Sequence, residues 1–186
     1  LELRGDDPVR TSALAERLEL TPGSVTAMLK RMSELGLVDY EPYHGVRLTK
    51  GGRELALEVL RHHRLLESYL SEVLNVPWDD VHAEAEVLEH YISEGLEARL
   101  AEALGNPTVD PHGDPIPGAD LSLADVEDAT VALADLDPGQ SATLTRVSDR
   151  EPELLRFLSE RGIELGNGLT VTERQPFDGP LFLEIE

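Results

Sequence analysis

The sequence predicts a mainly α-helical protein with a small β domain. Two short amphipathic segments and a two-strand pattern fill residues 1–50, which is the order of a winged helix-turn-helix. Residues 51–118 carry long stretches with apolar side chains every three or four positions, as in amphipathic helices. Residues 127–186 contain short alternating stretches, as in strands, around one short helix. The predicted order is therefore an N-terminal winged helix-turn-helix, a central helical domain and a C-terminal β domain.

Composition and alternation set the predicted boundaries. Residues 105–118, GNPTVDPHGDPIPG, are too dense in Pro and Gly for a helix or a strand, and they close the central domain. Residues 119–126 form the predicted linker. Beyond it, ATVALADLDPGQSATLTRVSD predicts two strands. The chain starts at Leu1 within an apparent helix and stops at Glu186 within an apparent strand, so we expect the protein to continue beyond both ends.

The composition narrows the chemistry that is available. The chain has 186 residues, of which 40% are hydrophobic, and it has no cysteine. Disulfides, thiolate metal sites and thiol catalysis are excluded, so a metal ion would bind His and carboxylate side chains. No apolar run is long enough to span a bilayer, and no signal peptide precedes the first helix. We therefore predict a cytoplasmic protein.

The negative charge is unevenly distributed. Residues 1–64 hold ten Lys or Arg and ten Asp or Glu, so the whole formal charge of −21 lies in residues 65–186. Because phosphates repel an acidic surface, only the first third of the chain could approach DNA. The abundance of Asp and Glu also leads to the hypothesis of a salt-adapted surface.

Capping and turn residues predict the helix-turn-helix. TSALAERL predicts a short helix, which ELTPGS interrupts. Thr21 can cap a second helix with Pro22 in its first turn, and Gly36 can end it. LVDYEPYHGVRLT then predicts two strands around a turn at His44 and Gly45, which would be the wing.

Helix 23–35 is the predicted recognition helix. Short donors and cations at its start and along the wing are the residue types that contact phosphates and base edges. The predicted DNA contacts are Thr21, Ser24, Thr26, Lys30, Arg31, Tyr43, His44 and Arg47. In the alternative interpretation, Val25, Met28 and Leu29 form the core while the polar residues merely solvate the outer face.

A group of possible metal ligands lies in the stretch VHAEAEVLEHYISE, residues 81–94, within a helix predicted to run to about Leu104. At about 100° per residue, four polar side chains share one face. They are His82, Glu86, Glu89 and His90. The opposite face carries an apolar stripe that would pack against a partner or close the monomer's own core. It consists of Val87, Leu88, Tyr91 and Ile92.

Two more possible ligands, His63 and Glu67, stand four residues apart on the preceding predicted helix and also share a face. If the two helices pack antiparallel, six nitrogen and oxygen ligands meet in one groove, which suits Mn²⁺, Fe²⁺, Co²⁺ or Zn²⁺. The alternative is that these side chains decorate a solvated face. We predict that His62 faces solvent and that His112 lies in a turn rather than in a third metal site.

Three stretches of the chain carry a resemblance to a known family. RHHRLLESYL, VPWDDVHAEAEVLEHYISEGLEARL and DPHGDPIPG resemble the metal-binding and dimerisation segment of the diphtheria-toxin-repressor family, which includes iron-dependent regulators and manganese transport regulators. ALAERLELTPGSVTAMLKRMSELGLV is similar to its DNA-binding domain. LADLDPGQSATLTRVSDREPELLRFLSERGIELG is similar to its Src-homology-3-like, FeoA-like domain. The resemblance implies metal binding and dimerisation by residues 51–118 and a Src-homology-3-like β-barrel over residues 127–186.

The resemblance implies an ancillary and a primary metal site. The implied ancillary ligands are His63, Glu67, His82 and, from the C-terminal domain, Glu151. A second ligand position of that domain holds Leu154 where the family has Gln. The implied primary ligands are Glu86, Glu89 and His90, together with a residue of the first helix that would precede Leu1. Glu86 stands where iron-type members have Cys, which moves the expected preference toward Mn²⁺ without excluding Fe²⁺.

The function implied by the resemblance is that of a metal-dependent transcriptional regulator that represses metal uptake genes and is not an enzyme. Mn²⁺ or Fe²⁺, with two ions per subunit, is the expected co-repressor, and Co²⁺, Ni²⁺ and Zn²⁺ are expected to substitute in vitro. The expected partners are double-stranded palindromic operator DNA and a second copy of the chain, with no membrane and no small-molecule substrate.

Two alternatives stay open at this point. A dinuclear hydrolase or oxidase could use the same His and Glu groove, but it would need a substrate pocket with an acid or base beside the metal. A metal buffer, or a DNA-binding regulator that does not respond to metal, could also carry these residues.

Overall fold

A computed structural model describes residues 8–123, 130–177 and 179–185. The predicted helix at Leu1, the end of the predicted linker and the terminal residue Glu186 lie outside the described residues. The chain divides into two compact units, Leu1–Glu58 and Val59–Glu186. The part of the chain that the structure describes contains no helix long and apolar enough to cross a membrane.

The N-terminal unit has the predicted winged helix-turn-helix fold. Its elements are α1 (Thr11–Arg17), α2 (Pro22–Glu34), β1 (Val38–Glu41), β2 (Gly45–Leu48) and the start of α3 (Lys50–Glu72). Thr21 caps α2, because its side chain accepts a hydrogen bond from the Ser24 amide at 3.2 Å. The antiparallel strands β1 and β2 pair from Val38 with Leu48 to Glu41 with Gly45. The buried core consists of Ala15, Val25, Leu29, Val38 and Val46.

The start of α3 is held against the N-terminal unit by the sequence Thr-Lys-Gly-Gly. The Thr49 hydroxyl donates to the Gly36 carbonyl at 2.7 Å and accepts from the Gly52 amide at 3.0 Å. A Cβ atom at Gly52 would lie 1.8 Å from the Leu37 carbonyl oxygen. A glycine is therefore required where the helix passes the end of the wing.

In the second unit, the predicted single helix from residue 81 to about 104 is wrong. Two helices replace it, α4 (Val81–Leu88) and α5 (Glu94–Ala103). Ser93 is extended and its side chain accepts from the Leu96 amide at 3.4 Å, so it starts a new helix. Ile92 is half-buried and packs against the core of Leu66, Leu70, Val81, Ala85 and Leu100. The cap and this apolar contact together bend the chain between the helices.

The C-terminal domain contains a 3₁₀ turn (Leu133–Asp135), β3 (Ser141–Thr143), α6 (Pro152–Ser159), β4 (Gly168–Arg174) and β5 (Leu181–Ile185). The antiparallel sheet has the order β3-β4-β5, and the described residues show no closed barrel. The strand predicted before Asp137 is wrong over its described part. Its carbonyl groups at Ala134 and Leu136 accept hydrogen bonds from the Arg174 side chain, which takes the place of a strand partner.

Candidate metal centre

Helices α3 and α4 bring three of the predicted ligands together. His63 Nε2 lies 3.0 Å from Glu67 Oε1 and 3.0 Å from His82 Nδ1. The same carboxylate oxygen lies 3.1 Å from His82 Nδ1. Glu67 is fully buried and His63 is 8% exposed, because Leu65, Leu66 and Leu70 draw this part of α3 into the core. Such a set of imidazole and carboxylate donors, with His63 and Glu67 buried and His82 half-buried, is suited to a divalent cation.

A fourth donor comes from the C-terminal domain, and it is Asp149. Its Oδ2 lies 3.3 Å from His82 Nδ1, and one ligand atom from each of His63, Glu67, His82 and Asp149 lies within 4.8 Å of the others. Glu151, which the resemblance assigned to this position, lies exposed at the N-cap of α6 and outside this group. The signal for Asp149 in the sequence is weak, because it is only a second carboxylate two residues before Glu151, in a segment with no regular structure.

The electrostatics show how strongly these groups interact. Burial disfavours a charged imidazole, yet the carboxylates of Glu67 and Glu89 outweigh it and raise the pKa of His63 to about 9. Burial would raise the pKa of Glu67, but hydrogen bonds from His63 and His82 lower that pKa to about 2. The hydrogen bond to Glu67 also raises the pKa of His82. The centre therefore holds protons that a cation would displace.

A second group of donors lies on the other side of Glu67. Glu67 Oε2 and His112 Nδ1 are buried, have no hydrogen-bond partner among the described residues and lie 3.9 Å apart. Asp110 joins them, and its pKa is raised to about 7 by burial and then by the charge of Glu67. Buried polar atoms without hydrogen-bond partners cost free energy unless a cation or a water molecule contacts them. This set of nitrogen and oxygen ligand atoms therefore fits a metal ion. His112 lies in a turn, as predicted, but it is fully buried there and faces this group.

Tertiary contacts fix His112 in this position. Its Nε2 donates to the Trp78 carbonyl oxygen at 2.8 Å, and the two rings stack at 6.1 Å between centroids. The Asp110 carboxylate accepts from the His112 amide at 2.9 Å, which tightens the turn. Since Trp78 is the single tryptophan of the sequence, its fluorescence is a natural reporter for this group.

The remaining predicted ligands lie near the bend between α4 and α5. Glu89 Oε2 lies 2.6 Å from His63 Nδ1, on the side of the ring opposite to Glu67. His90 Nε2 lies 3.6 Å from Glu89 Oε1, but the His90 side chain is 66% exposed. Glu86 is exposed on α4. The structure thus brings Glu89 to the buried centre and leaves Glu86 and His90 toward solvent.

His62 departs from the prediction that it faces solvent. It is 7% exposed, and its Nε2 lies 2.9 Å from the Glu97 carboxylate. Arg61 shares this carboxylate through Nε at 2.5 Å and donates to the Pro117 carbonyl oxygen at 2.6 Å. Both residues therefore fasten α5 to α3 and lie outside the ligand group around His63.

The predicted DNA contacts lie on the N-terminal unit. Lys30, Arg31 and the wing residues Tyr43, His44 and Arg47 are exposed. The Thr26 hydroxyl donates to the Pro22 carbonyl at 2.8 Å, and the hydroxyl groups of Thr21 and Ser24 lie 2.9 Å apart. These hydroxyl groups thus stabilise the start of α2, whereas Lys30, Arg31 and Arg47 are exposed cations. Met28, a core residue in the alternative interpretation, is 48% exposed.

Models of known protein families match three successive parts of the chain. The model of the N-terminal DNA-binding domain of the iron-dependent repressors matches residues 2–46. The model of their metal-binding and dimerisation domain matches residues 49–118, and the FeoA domain matches residues 131–186.

Individual proteins and solved structures that are similar to this chain are also metal-dependent repressors. The iron-dependent repressor IdeR of Mycobacterium leprae is 43% identical over 136 residues, which span 73% of this chain and 58% of that protein. The diphtheria toxin repressor of Corynebacterium efficiens is 36% identical over 183 residues, which span 94% of this chain and 79% of that protein. A solved structure of a manganese-dependent transcriptional repressor in complex with manganese is 41% identical, with a TM-score of 0.87 over 98% of this chain and 83% of that chain.

Proposed function

The chain belongs to the family of iron-dependent repressors, which are metal-dependent DNA-binding regulators and not enzymes, and on this premise we propose that it represses metal uptake genes with Mn²⁺ or Fe²⁺ as co-repressor. It acts in the cytoplasm on palindromic operators, as a homodimer. The family leaves no support for the hydrolase or oxidase alternative. The observation that carries the proposal is the group of buried His63 and Glu67 with half-buried His82 and Asp149, whose ligand atoms lie within 4.8 Å of one another.

Two ions per subunit are part of the proposal. The first is held by His63, Glu67 and His82 with Asp149, which takes the place expected for Glu151. The second is held by Glu86, Glu89 and His90. The donors are nitrogen and oxygen atoms without sulfur, which supports Mn²⁺ over softer ions and leaves Fe²⁺ possible. Bound cations supply the positive charge that balances these carboxylates and draws the ligands together.

The N-terminal unit supplies the DNA contacts in this proposal. Lys30 and Arg31 on α2 contact phosphates, and Tyr43 and Arg47 on the wing contact the backbone or the minor groove. The ion pair between Arg31 and Glu34 at 3.1 Å does not prevent this, because both side chains are exposed and such pairs are weak. Thr21, Ser24, Thr26 and His44 complete the proposed surface.

A second copy of the chain is the proposed partner for the surface around the bend between α4 and α5. Val87 is 62% exposed, Leu88 39%, Tyr91 83% and Leu96 44%. Of the predicted apolar stripe, Val87, Leu88 and Tyr91 are exposed in this way, whereas Ile92 packs against the core of its own unit, so the stripe divides between the two interpretations. A two-fold dimer through this surface would present two recognition helices to the two halves of an operator.

In this proposal, metal binding and DNA binding are coupled because both favour the same arrangement of the protein. Ligands from α3, α4 and the C-terminal domain meet at the centre, so ion binding favours the arrangement in which they are together. If the same arrangement suits DNA, each ligand raises the affinity of the other by the same factor. Operator DNA therefore raises metal affinity as much as metal raises operator affinity.

The test is fluorescence anisotropy with DNA from upstream of the chain's own gene and of metal-transporter genes. Binding is measured with chelator and then with Mn²⁺, Fe²⁺ under anaerobic conditions, and Zn²⁺. The variant Glu67→Gln removes the carboxylate shared by both buried groups, and Glu84→Gln, on the exposed face of α4, is the matched control. We expect metal to promote binding in the wild type and in Glu84→Gln, and not in Glu67→Gln.

Equal binding with chelator and with every ion would contradict the proposal and leave a regulator that does not respond to metal. Metal binding without any DNA binding would support the metal-buffer alternative. A full metal response in Glu67→Gln would reject the site while leaving the metal-dependent function in place.

A further inference from the structure

The C-terminal domain touches the helical domain along a short contact that contains no predicted metal ligand. The Val147 amide donates to the His112 carbonyl oxygen at 2.9 Å, and the Arg146 side chain pairs with the Asp114 carboxylate. Gly113 lies against Thr145. We name this contact, made by residues 112–114 and 145–147, the docking seam.

Gly113 is the point of closest approach in the docking seam. Its φ is +86°, and a Cβ atom there would lie 2.0 Å from the Thr145 carbonyl oxygen and 3.0 Å from the Arg146 Cα. The clash would be with backbone atoms, which cannot rotate away as the end of a side chain can. Any other residue at position 113 would therefore force the two segments apart.

The docking seam determines where Asp149 lies. Asp149 follows Val147 by two residues, so the hydrogen bond of the Val147 amide limits how far the Asp149 carboxylate can move. That carboxylate lies 3.3 Å from His82 Nδ1. Farther along, Arg156 Nε donates to Asp79 Oδ2 at 3.1 Å, which ties α6 to the segment before α4. Each of these contacts joins two protein groups directly.

We propose that the docking seam holds Asp149 at the buried centre before an ion binds, and that Gly113 and Arg146 are positioning residues for this ligand. The inference rests on the proposed function, because it concerns the affinity of that same site. A ligand already in position raises metal affinity, since its segment does not have to be ordered on binding. Supporting residues around metal ligands commonly change affinity by about 10- to 100-fold. The C-terminal domain is thus part of the metal site before an ion binds.

The first experiment tests whether the domain is docked without metal. Hydrogen exchange of the Val147 amide is followed by NMR in the full chain with chelator and then with Mn²⁺. We expect this amide to be protected under both conditions, because its acceptor is the His112 carbonyl oxygen. Rapid exchange with chelator, followed by protection with Mn²⁺, would overturn the inference, because docking would then follow metal binding.

The second experiment tests the positioning of Asp149 through Mn²⁺ affinity, measured by the EPR signal of free Mn²⁺. The variants are Gly113→Ala, Asp149→Asn and the two combined. Gly139→Ala is the matched control, because Gly139 has a similar φ of +89° and no atom within 4 Å of an added Cβ. Gly113→Ala and Gly139→Ala introduce the same backbone strain, but only the Cβ atom at position 113 clashes with the other domain. Arg146→Ala, whose side chain is 44% exposed, replaces Gly113→Ala if that variant does not fold.

We expect Gly113→Ala and Asp149→Asn each to weaken Mn²⁺ binding about tenfold or more. The combined variant should be no weaker than either one, since both changes remove the same ligand. Gly139→Ala should bind as the wild type does. Wild-type affinity in Gly113→Ala or in Asp149→Asn would overturn the inference. Losses of Mn²⁺ affinity that add up in the combined variant would also overturn it. Gly113 would then affect Mn²⁺ binding through Asp110 and His112 and not through Asp149.

The outcomes separate this inference from the proposed function. If Mn²⁺ still promotes DNA binding while Asp149→Asn leaves Mn²⁺ affinity unchanged, the function stands and the inference fails. If the wild type binds neither Mn²⁺ nor Fe²⁺, both fail.

Discussion

At the scale of single residues, His63 is the side chain on which the centre depends. Its Nε2 lies 3.0 Å from Glu67 Oε1, and its Nδ1 lies 2.6 Å from Glu89 Oε2. With a carboxylate at each ring nitrogen, the protonated ring is favoured, which is why its pKa is raised to about 9. A metal ion that binds this ring must displace a proton.

Metal binding is therefore expected to release about one proton per subunit from His63 at pH 7 to 8, and less above pH 9. Metal affinity should rise with pH over the same range. The measurement is calorimetry of Mn²⁺ binding in two buffers with different ionisation enthalpies. Proton release that did not change between pH 7 and pH 9.5 would contradict the assignment.

The same pKa predicts the pH dependence of stability in the chelator-treated protein. A folded-state pKa raised from an unfolded value of about 6.5 stabilises the fold fully below pH 6.5, and this stabilisation is lost as the pH rises through about 9. Urea midpoints at pH 7 and pH 9.5 in the presence of chelator should show the decrease. Saturating metal should make it smaller.

Tyr43 at the tip of the wing is a strained and exposed residue. Its φ is +70° and it is 104% exposed, a combination that costs free energy without adding contacts to the core. We expect Tyr43→Gly to increase the free energy of unfolding by about 1 kcal/mol and to weaken operator binding. Urea unfolding and anisotropy measure the two effects.

Phe177 provides the control for Tyr43, since it has a φ of +60° and is 100% exposed in the other unit. Phe177→Gly should gain similar stability and keep full operator affinity. If Tyr43→Gly also kept full affinity, Tyr43 would not contact DNA.

At the scale of elements, α3 connects the wing to the metal ligands within one helix, Lys50–Glu72. Its start depends on two adjacent glycines that have different surroundings. A Cβ at Gly52 would lie 1.8 Å from the Leu37 carbonyl oxygen, whereas at Gly51 the nearest atom, Thr49 Oγ1, would be 4.0 Å away. The second glycine is needed for packing and the first is not.

This difference predicts opposite effects of the same substitution. Gly52→Ala should destabilise the protein by about 1–3 kcal/mol, because the helix must shift away from β1. Gly51→Ala should be neutral or stabilising by up to about 1 kcal/mol, because alanine favours the helix. Urea unfolding of both variants checks this. Equal effects at the two positions would contradict the packing argument.

At the scale of the whole molecule, the formal charge differs between the DNA-binding part of the chain and the part that contains the metal ligands. Residues 1–64 have no net formal charge, and residues 65–186 carry all of the −21. Repulsion within the acidic part destabilises the fold, and it is screened by salt, since the Debye length falls from about 10 Å at 0.1 M to about 3 Å at 1 M. Contacts with phosphates are weakened by the same salt.

Salt is therefore expected to change stability and DNA binding in opposite directions. Raising KCl from 0.1 M to 1 M should raise the thermal midpoint by about 2 °C or more, which corresponds to roughly 1 kcal/mol for a chain of this size. Operator affinity should fall over the same range. A thermal midpoint that did not change would remove the support for a salt-adapted surface.

Local patterns in the sequence were enough to predict most elements of the fold. The Thr21 cap, Pro22 and Gly36 define α2 within a residue or two, and the spacing of His63 and Glu67 places both on one helical face. These features depend on neighbours within four residues, so the sequence contains the information directly. The winged helix-turn-helix and the meeting of His63, Glu67 and His82 follow from such patterns together with the family resemblance.

The tertiary structure decided which donors reach the centre. The helix expected over 81–104 is interrupted between Leu88 and Glu94, where Ile92 packs against the core, and Glu89 lies beside His63 while His90 stays exposed. Asp149 and His112 join Glu67 through contacts between segments distant in the chain. Periodicity determines which side chains share a face, but only packing between distant segments determines which faces meet.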